Sequence, residues 1–346
     1  MIEKRYYGTL KSGEEIFALT VTNNPGSSVE ILTYGATVSK ITVPDKDGNY
    51  ADILVGFDDL QGHEERSDNQ GVTVGRYANR IGGAAFTLDG ETYHVSANEK
   101  GKTCLHGGDE LSHAVWKALI IDDNAIEMTY DSPDGAMGFP GNVQFKVTFT
   151  FTDRNELKID YLAKTDKKTV INMTNHAYFN LAGATAGDVL GHVLMINADC
   201  YTPTDADSIP TGELRSVEGT AFDFREPKAI GRDIGADDEQ LKMCGGYDHN
   251  FCLNDGDGPA VTAYDPESGR VLDVYTDLIG VQLYTGNFLD GTTEGKGGTK
   301  PGKHAGFCLE TQFYPDTPNK PQFPQCTVNA GEKFQSTTLF KFYVKK

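Results

Sequence analysis

The run Asn142-Val143-Gln144-Phe145-Lys146-Val147-Thr148-Phe149-Thr150-Phe151 decides the fold. Apolar side chains occupy the odd positions and polar ones the even positions, a period of two that belongs to a half-buried strand. A turn at Asp153-Arg154-Asn155 follows, and Glu156-Leu157-Lys158-Ile159-Asp160-Tyr161 then alternates again. Together they predict an antiparallel hairpin with one buried face. Working outward, Val29 to Tyr34, Arg270 to Thr276 and Gly280 to Tyr284 read as further strands, and Asp47-Gly48 and Asp89-Gly90 are hairpin turns. The best helix signal is the short run from Asp237 to Met243, stopped by Gly245-Gly246. Gly291 to Gly302 reads as a loop within the fold, since strand-like sequence resumes at Phe307. Neither an internal repeat nor a shift in composition marks a boundary. The expected architecture is all-β, a large antiparallel β-sandwich occupying residues 1–346 as a single domain.

Composition narrows the partners. The 346 residues hold 31 Lys and Arg against 50 Asp and Glu, a formal charge of −19. That balance argues against nucleic acid and anionic membrane, both of which need a basic surface. No apolar run is long enough to span a bilayer, and the segment from Met1 to Phe17 lacks the apolar core of a secretory signal. The six cysteines form no CxxC pair and read as reduced thiols, so a cytoplasmic location is expected.

Three of the eight histidines keep unusual company. His106 stands before two glycines in Leu105-His106-Gly107-Gly108, where backbone or ligand can approach closely. His176 lies within Asn172-Met173-Thr174-Asn175-His176-Ala177-Tyr178-Phe179-Asn180, among amides and rings, and His249 follows Gly245-Gly246-Tyr247-Asp248. Each alone is equally a satisfied loop histidine; three such clusters point to a polar cleft. HxH, HExxH, GxSxG and phosphate-loop spacings are all missing, so neither metal nor cofactor is expected. In Phe307-Cys308-Leu309-Glu310-Thr311-Gln312-Phe313, Glu310 shares a strand face with Cys308 and Gln312. A carboxylate there is paired, at a solvated edge, or functional. Asn79-Arg80, Tyr178-Phe179, Asp248, Gln282 and Asn287-Phe288 form a set suited to a neutral polyol such as a sugar, although Trp116 is the single Trp.

Six segments then fall in the order of one family. GRYANRI (75–81), LHGG (105–108), NMTNHAYFNL (172–181), GGYDHNF (245–251), GVQLYTGN (280–287) and LETQFYPDTPN (309–319) make the chain resemble the aldose 1-epimerases, or galactose mutarotases. The resemblance covers most of the chain. Ala221 and the Ser112-to-Trp116 segment depart from the family pattern without touching the residues below. It implies a β-supersandwich and an isomerase that interconverts α and β anomers of free hexoses. It further implies Glu310 as general base and His176 as general acid. By the same resemblance, Asn79, Arg80, His106, Tyr178, Asp248 and Gln282 hold the sugar. Such an enzyme needs a small hexose as its partner, and a monomer or a homodimer is equally compatible with the sequence. A carbohydrate-binding module, a hexose 6-phosphate epimerase and a glycosidase are the rival readings.

Overall fold

The computed structural model describes residues 1–65 and 68–345. Most described residues with regular structure lie in antiparallel strands, joined by turns and a few short helices. The predicted hairpin supplies the third and fourth strands of a nine-stranded sheet. Val143–Phe151 pairs with Glu156–Thr165 in the register Phe145↔Ala163, Val147↔Tyr161, Phe149↔Ile159. Every one of those six side chains is buried, as the alternation requires. The C-terminal strand Lys333–Val344 pairs with the hairpin on one side and with Arg270–Thr276 on the other.

An N-terminal five-stranded sheet spans residues 2–52, and a second five-stranded sheet carries the site. Inward side chains of all three sheets meet in one core: Val29 and Ile31, Phe145 and Phe149, Phe251, Val281 and Leu309. At about 25 cal/mol per Å2 of apolar surface, this shared core is the main force holding the sheets together. The Asp47-Gly48 and Asp89-Gly90 turns join paired strands as read. The strand read from Val29 to Tyr34 ends earlier, at Leu32, because Gly35 and Ala36 take left-handed backbone. The predicted helix forms over Glu239–Cys244, with the Asp238 carboxylate capping the amides of Gln240 and Leu241. Gly291 to Gly302 is a wrapped loop, pinned where the buried Lys296 ammonium donates to the Asp52 carboxylate and to the carbonyls of Ser39 and Leu54. No described helix is long and apolar enough to cross a membrane.

Several histidines are trapped in this core. His192 Nε2 accepts the Leu181 amide proton, and burial lowers its pKa to about 4. His63 is lowered to about 4, again mainly by burial. Unfolding restores a value near 6.5, so between 6.5 and 4 the unfolded chain binds more protons than the folded one. Stability from these groups is therefore complete above pH 6.5 and is lost as pH falls toward 4. We predict that Tm, followed by calorimetry, drops over that interval and that His192→Gln shallows the slope. An identical slope in the variant would contradict the assignment.

Candidate active site

The site is written on one face of the sheet formed by Arg215–Ser216, Ala198–Thr202, Asp248–Leu253, Gly280–Tyr284 and Cys308–Gln312, in that order. Register sets the rows. Asp248 faces Tyr284, which faces Cys308; Asn250 faces Gln282, which faces Glu310; Cys252 faces Gly280, which faces Gln312. Because strand side chains alternate, Phe251, Val281, Leu283 and Leu309 go to the core on the opposite face. Hence Glu310 lies with Cys308 and Gln312, as the sequence indicates.

The polar face is tied into a network. Gln282 donates to Asp248 Oδ1 at 2.7 Å, and Gln312 donates to Asn250 Oδ1 at 3.2 Å and Gln282 Oε1 at 3.3 Å. Gly280 leaves room for it, since a Cβ there would lie 2.5 Å from Asn250 Oδ1.

Loops bring the remaining groups. Arg80 pairs with Leu105 across a two-residue bridge, which sets Asn79 against His106. The His106 amide donates to the Asn79 carbonyl, and the Asn79 amide donates to His106 Nδ1 at 3.2 Å. Both residues hold left-handed backbone, with φ of 65° and 54°. Gly107 follows because its missing Cβ would lie 2.3 Å from the Gly75 carbonyl oxygen. Arg80 donates twice to the Glu99 carboxylate, at 2.8 and 2.9 Å, and its third nitrogen lies 3.8 Å from Asp248 Oδ2.

His176 follows the short Thr174–Asn175 strand, which pairs with Thr73–Val74. Its ring stacks on Tyr178 and meets His106 edge-on, with centroids 5.1 Å apart in each case. Nδ1 is 3.5 Å from Cys308 Sγ. Nε2 is 3.6 Å from Glu310 Oε1, and Glu310 Oε2 has no partner among the described residues. Tyr178 donates its hydroxyl proton to the Asp68 carbonyl.

A cavity of about 180 Å3 opens over this face. It is lined by Asn79, Arg80, His106, His176, Tyr178, Asp248 and Glu310 from the predicted set, together with Asp68, Asn69, Glu99, Leu105, Tyr284, Phe288 and Leu289. Gln282 does not line it; it sits beneath and orients Asp248. Asn287 and Phe179 are corrections to the sugar-reading set. The Asn287 amide donates to the Cys244 and Tyr247 carbonyls, and Phe179 packs on Phe307 and Phe340 in the core. Trp116 is buried beneath its own loop, donating to the Leu111 carbonyl. Glu99 was outside the sequence reading, since no local pattern signals a partner 19 residues away.

Burial governs the charges. It raises the pKa of Glu310 well above the usual carboxylate value, with the Asp248 charge adding to it and Arg80 opposing. Burial lowers His176 to about 4 and takes His106 well below the ordinary imidazole value, where His176 and Arg80 add to the effect. Asp248 is also raised by burial, against Arg80 and Gln282. Thus the Glu310–His176 pair is pressed toward its uncharged form, and the nearby anions do not outweigh desolvation.

His106, His176 and Glu310 offer ligand atoms within 4.8 Å of one another, a spacing that could hold a metal. The tautomer works against it. His106 Nδ1 accepts a backbone N–H, so a neutral ring carries its proton on Nε2, the nitrogen left for a ligand. A protonated nitrogen has no lone pair for a cation, and this donor set does not fit a metal as arranged.

Known proteins resemble this chain over nearly its whole length. Residues 18–341 match the family model described as Aldose 1-epimerase. The chain is 40% identical to the galactose mutarotase of Rattus norvegicus, with 99% of each chain covered. It is also 40% identical to the aldose 1-epimerase of Escherichia coli (strain K12), covering 95% of this chain and 96% of the relative. The crystal structure of galactose 1-epimerase from Lactobacillus acidophilus NCFM superimposes with a TM-score of 0.89 at 28% identity, covering 100% of this chain and 99% of that one. The fold and the family match therefore define a galactose mutarotase-like β-sandwich enzyme of the isomerase class. Within that class, the chain belongs to the aldose 1-epimerase family.

We predict that Gly280→Ala, which forces a methyl group against the Asn250 side chain and the Gln312 carbonyl, destabilises the protein by about 1–3 kcal/mol. Urea denaturation checks this; an unmoved midpoint would show that the amide network has slack.

Proposed function

We propose that the chain interconverts the α and β anomers of free hexoses such as galactose and glucose. The observation that carries this reading is the 3.6 Å approach of His176 Nε2 to Glu310 Oε1 at one end of a cavity lined with fixed donors and acceptors. Opening a cyclic hemiacetal needs two proton transfers around a single carbon. Glu310, as carboxylate, takes the proton of the C1 hydroxyl; the carbonyl forms and the C1–O5 bond breaks. The electron pair left on O5 takes the proton of His176 Nε2. Rotation about C1–C2 turns the aldehyde, and the same two protons return as the ring closes on its other face.

The perturbed pKa values suit this cycle. Ring opening converts a carboxylate and an imidazolium into a carboxylic acid and a neutral imidazole. Burial favours that neutral pair, so it makes Glu310 the stronger base and His176 the stronger acid. No external charge is needed, because both forms of the pair hold the same number of protons. His106 Nε2–H, Asn79, Arg80 and Asp248 grip the remaining hydroxyls, while Tyr178 supports the imidazole and Gln282 the Asp248 carboxylate. Phe288, Leu289 and Tyr284 offer the apolar wall.

The charge inventory favours a neutral sugar over a hexose phosphate. Among the described lining residues Arg80 is the sole guanidinium or ammonium, and Glu99 and Asp248 already face it. The relatives named galactose mutarotase and aldose 1-epimerase support the same choice of substrate. A binding module has no use for the Glu310–His176 pair.

Polarimetry on freshly dissolved α-galactose and α-glucose tests the reading. We predict that Glu310→Gln keeps sugar affinity and that it and His176→Asn each lose turnover by roughly 10²–10⁴-fold. Unchanged mutarotation in either variant removes that residue from its role. The acid limb of kcat/KM falls well below the 6.5 of a free imidazole, toward about 4, because a second proton on the pair must charge a buried ring. A limb centred near 6.5 would contradict that order of events.

A further inference from the structure

The polar face of the site sheet continues past the row that holds Glu310. In the next row, Cys200 on Ala198–Thr202 faces Cys252 on Asp248–Leu253 in antiparallel register. Facing residues in such a pair hold their Cα atoms about 4.5 or 5.5 Å apart and send their side chains to the same side. Both spacings lie inside the roughly 4.4–6.8 Å range of disulfides. The two thiols share an environment: Cys252 packs with Tyr314 and Phe323, and Cys200 packs against that cluster. No disulfide joins them, and Cys200 is the one cysteine of the six that is not buried. None of the other four, Cys104, Cys244, Cys308 and Cys326, faces a second cysteine across a strand pair.

We propose that Cys200 and Cys252 form a redox-active dithiol, a modification site that reacts with small disulfides of the glutathione class. Exposure sets the order of steps. The Cys200 thiolate attacks one sulfur of the reagent, the reagent S–S bond breaks, and one glutathione thiolate leaves. The Cys252 thiolate then attacks the Cys200 sulfur of the mixed disulfide and expels the second glutathione. The protein loses two electrons and two protons, and the reagent is reduced to two thiols. Burial pushes the Cys252 thiol up to about 12, which makes the second step the slow one. The crosslink sits one row from Glu310, since Cys252 faces Gly280 and Asn250 faces Gln282.

The test treats the full-length folded protein with glutathione disulfide, quenches with acid and maps the peptides by mass spectrometry. The expected product is a Cys200–Cys252 linked peptide. Cys252→Ser should stop at a glutathione adduct on Cys200, and Cys200→Ser should slow thiol consumption at least about tenfold. Phenylarsine oxide, which bridges neighbouring thiols, should add once to the unmodified protein and to neither Ser variant. A stable adduct on Cys200 without the link, a link through other cysteines, or arsenical binding that survives both substitutions would overturn the proposal. These readouts do not involve sugar turnover, so their failure leaves the epimerase reading untouched, and failure of the epimerase assay leaves this one standing.

Discussion

The cross-strand register of Asp248–Leu253, Gly280–Tyr284 and Cys308–Gln312 is the constraint on which the site depends. It sends Phe251, Val281, Leu283 and Leu309 into the core and Asp248 and Glu310 into the cavity, with Gln282 beneath them donating to Asp248. A slip of one residue in any of the three strands would exchange those faces. Hydrophobic burial therefore positions the carboxylates. The same apolar free energy that closes the sandwich also holds Glu310 where a loop could not hold it as tightly.

A second consequence is electrostatic. The polar face is surrounded by core, so its charged groups lie in a medium that disfavours charge. Arg80 tolerates this because Glu99 takes two of its nitrogens and Asp248 faces the third. Asp248 tolerates it with Gln282 as a donor. Glu310 faces His176 at 3.6 Å, and its second carboxylate oxygen is buried without a partner among the described residues. Asp248 and Arg80 are thus partnered within the protein, while Glu310 Oε2, like Asn250 Nδ2 and Gln312 Oε1, is buried without a hydrogen-bond partner among the described residues.

Much of the fold was legible because alternation reports burial directly. Phe145, Val147 and Phe149 alternate with polar residues, and the structure buries all three. Glu310 was legible as an anomaly, a carboxylate in an apolar run. Other features were not, for physical reasons. Asn287 and Phe179 look like sugar contacts in sequence, but tertiary packing turns one to the Cys244 and Tyr247 carbonyls and the other to Phe340. Glu99 carries no local signal, since its role comes from Arg80 reaching across a loop. The burial that lowers His176 is likewise a quantity that sequence spacing does not contain.

The most direct measurement is a crystal structure of the Glu310→Gln variant with galactose bound. The account predicts the anomeric hydroxyl on residue 310 and the ring oxygen on His176 Nε2, with the far hydroxyls on Arg80 and Asp248. A sugar bound the other way round, its anomeric carbon against Arg80 and Glu99, would contradict it.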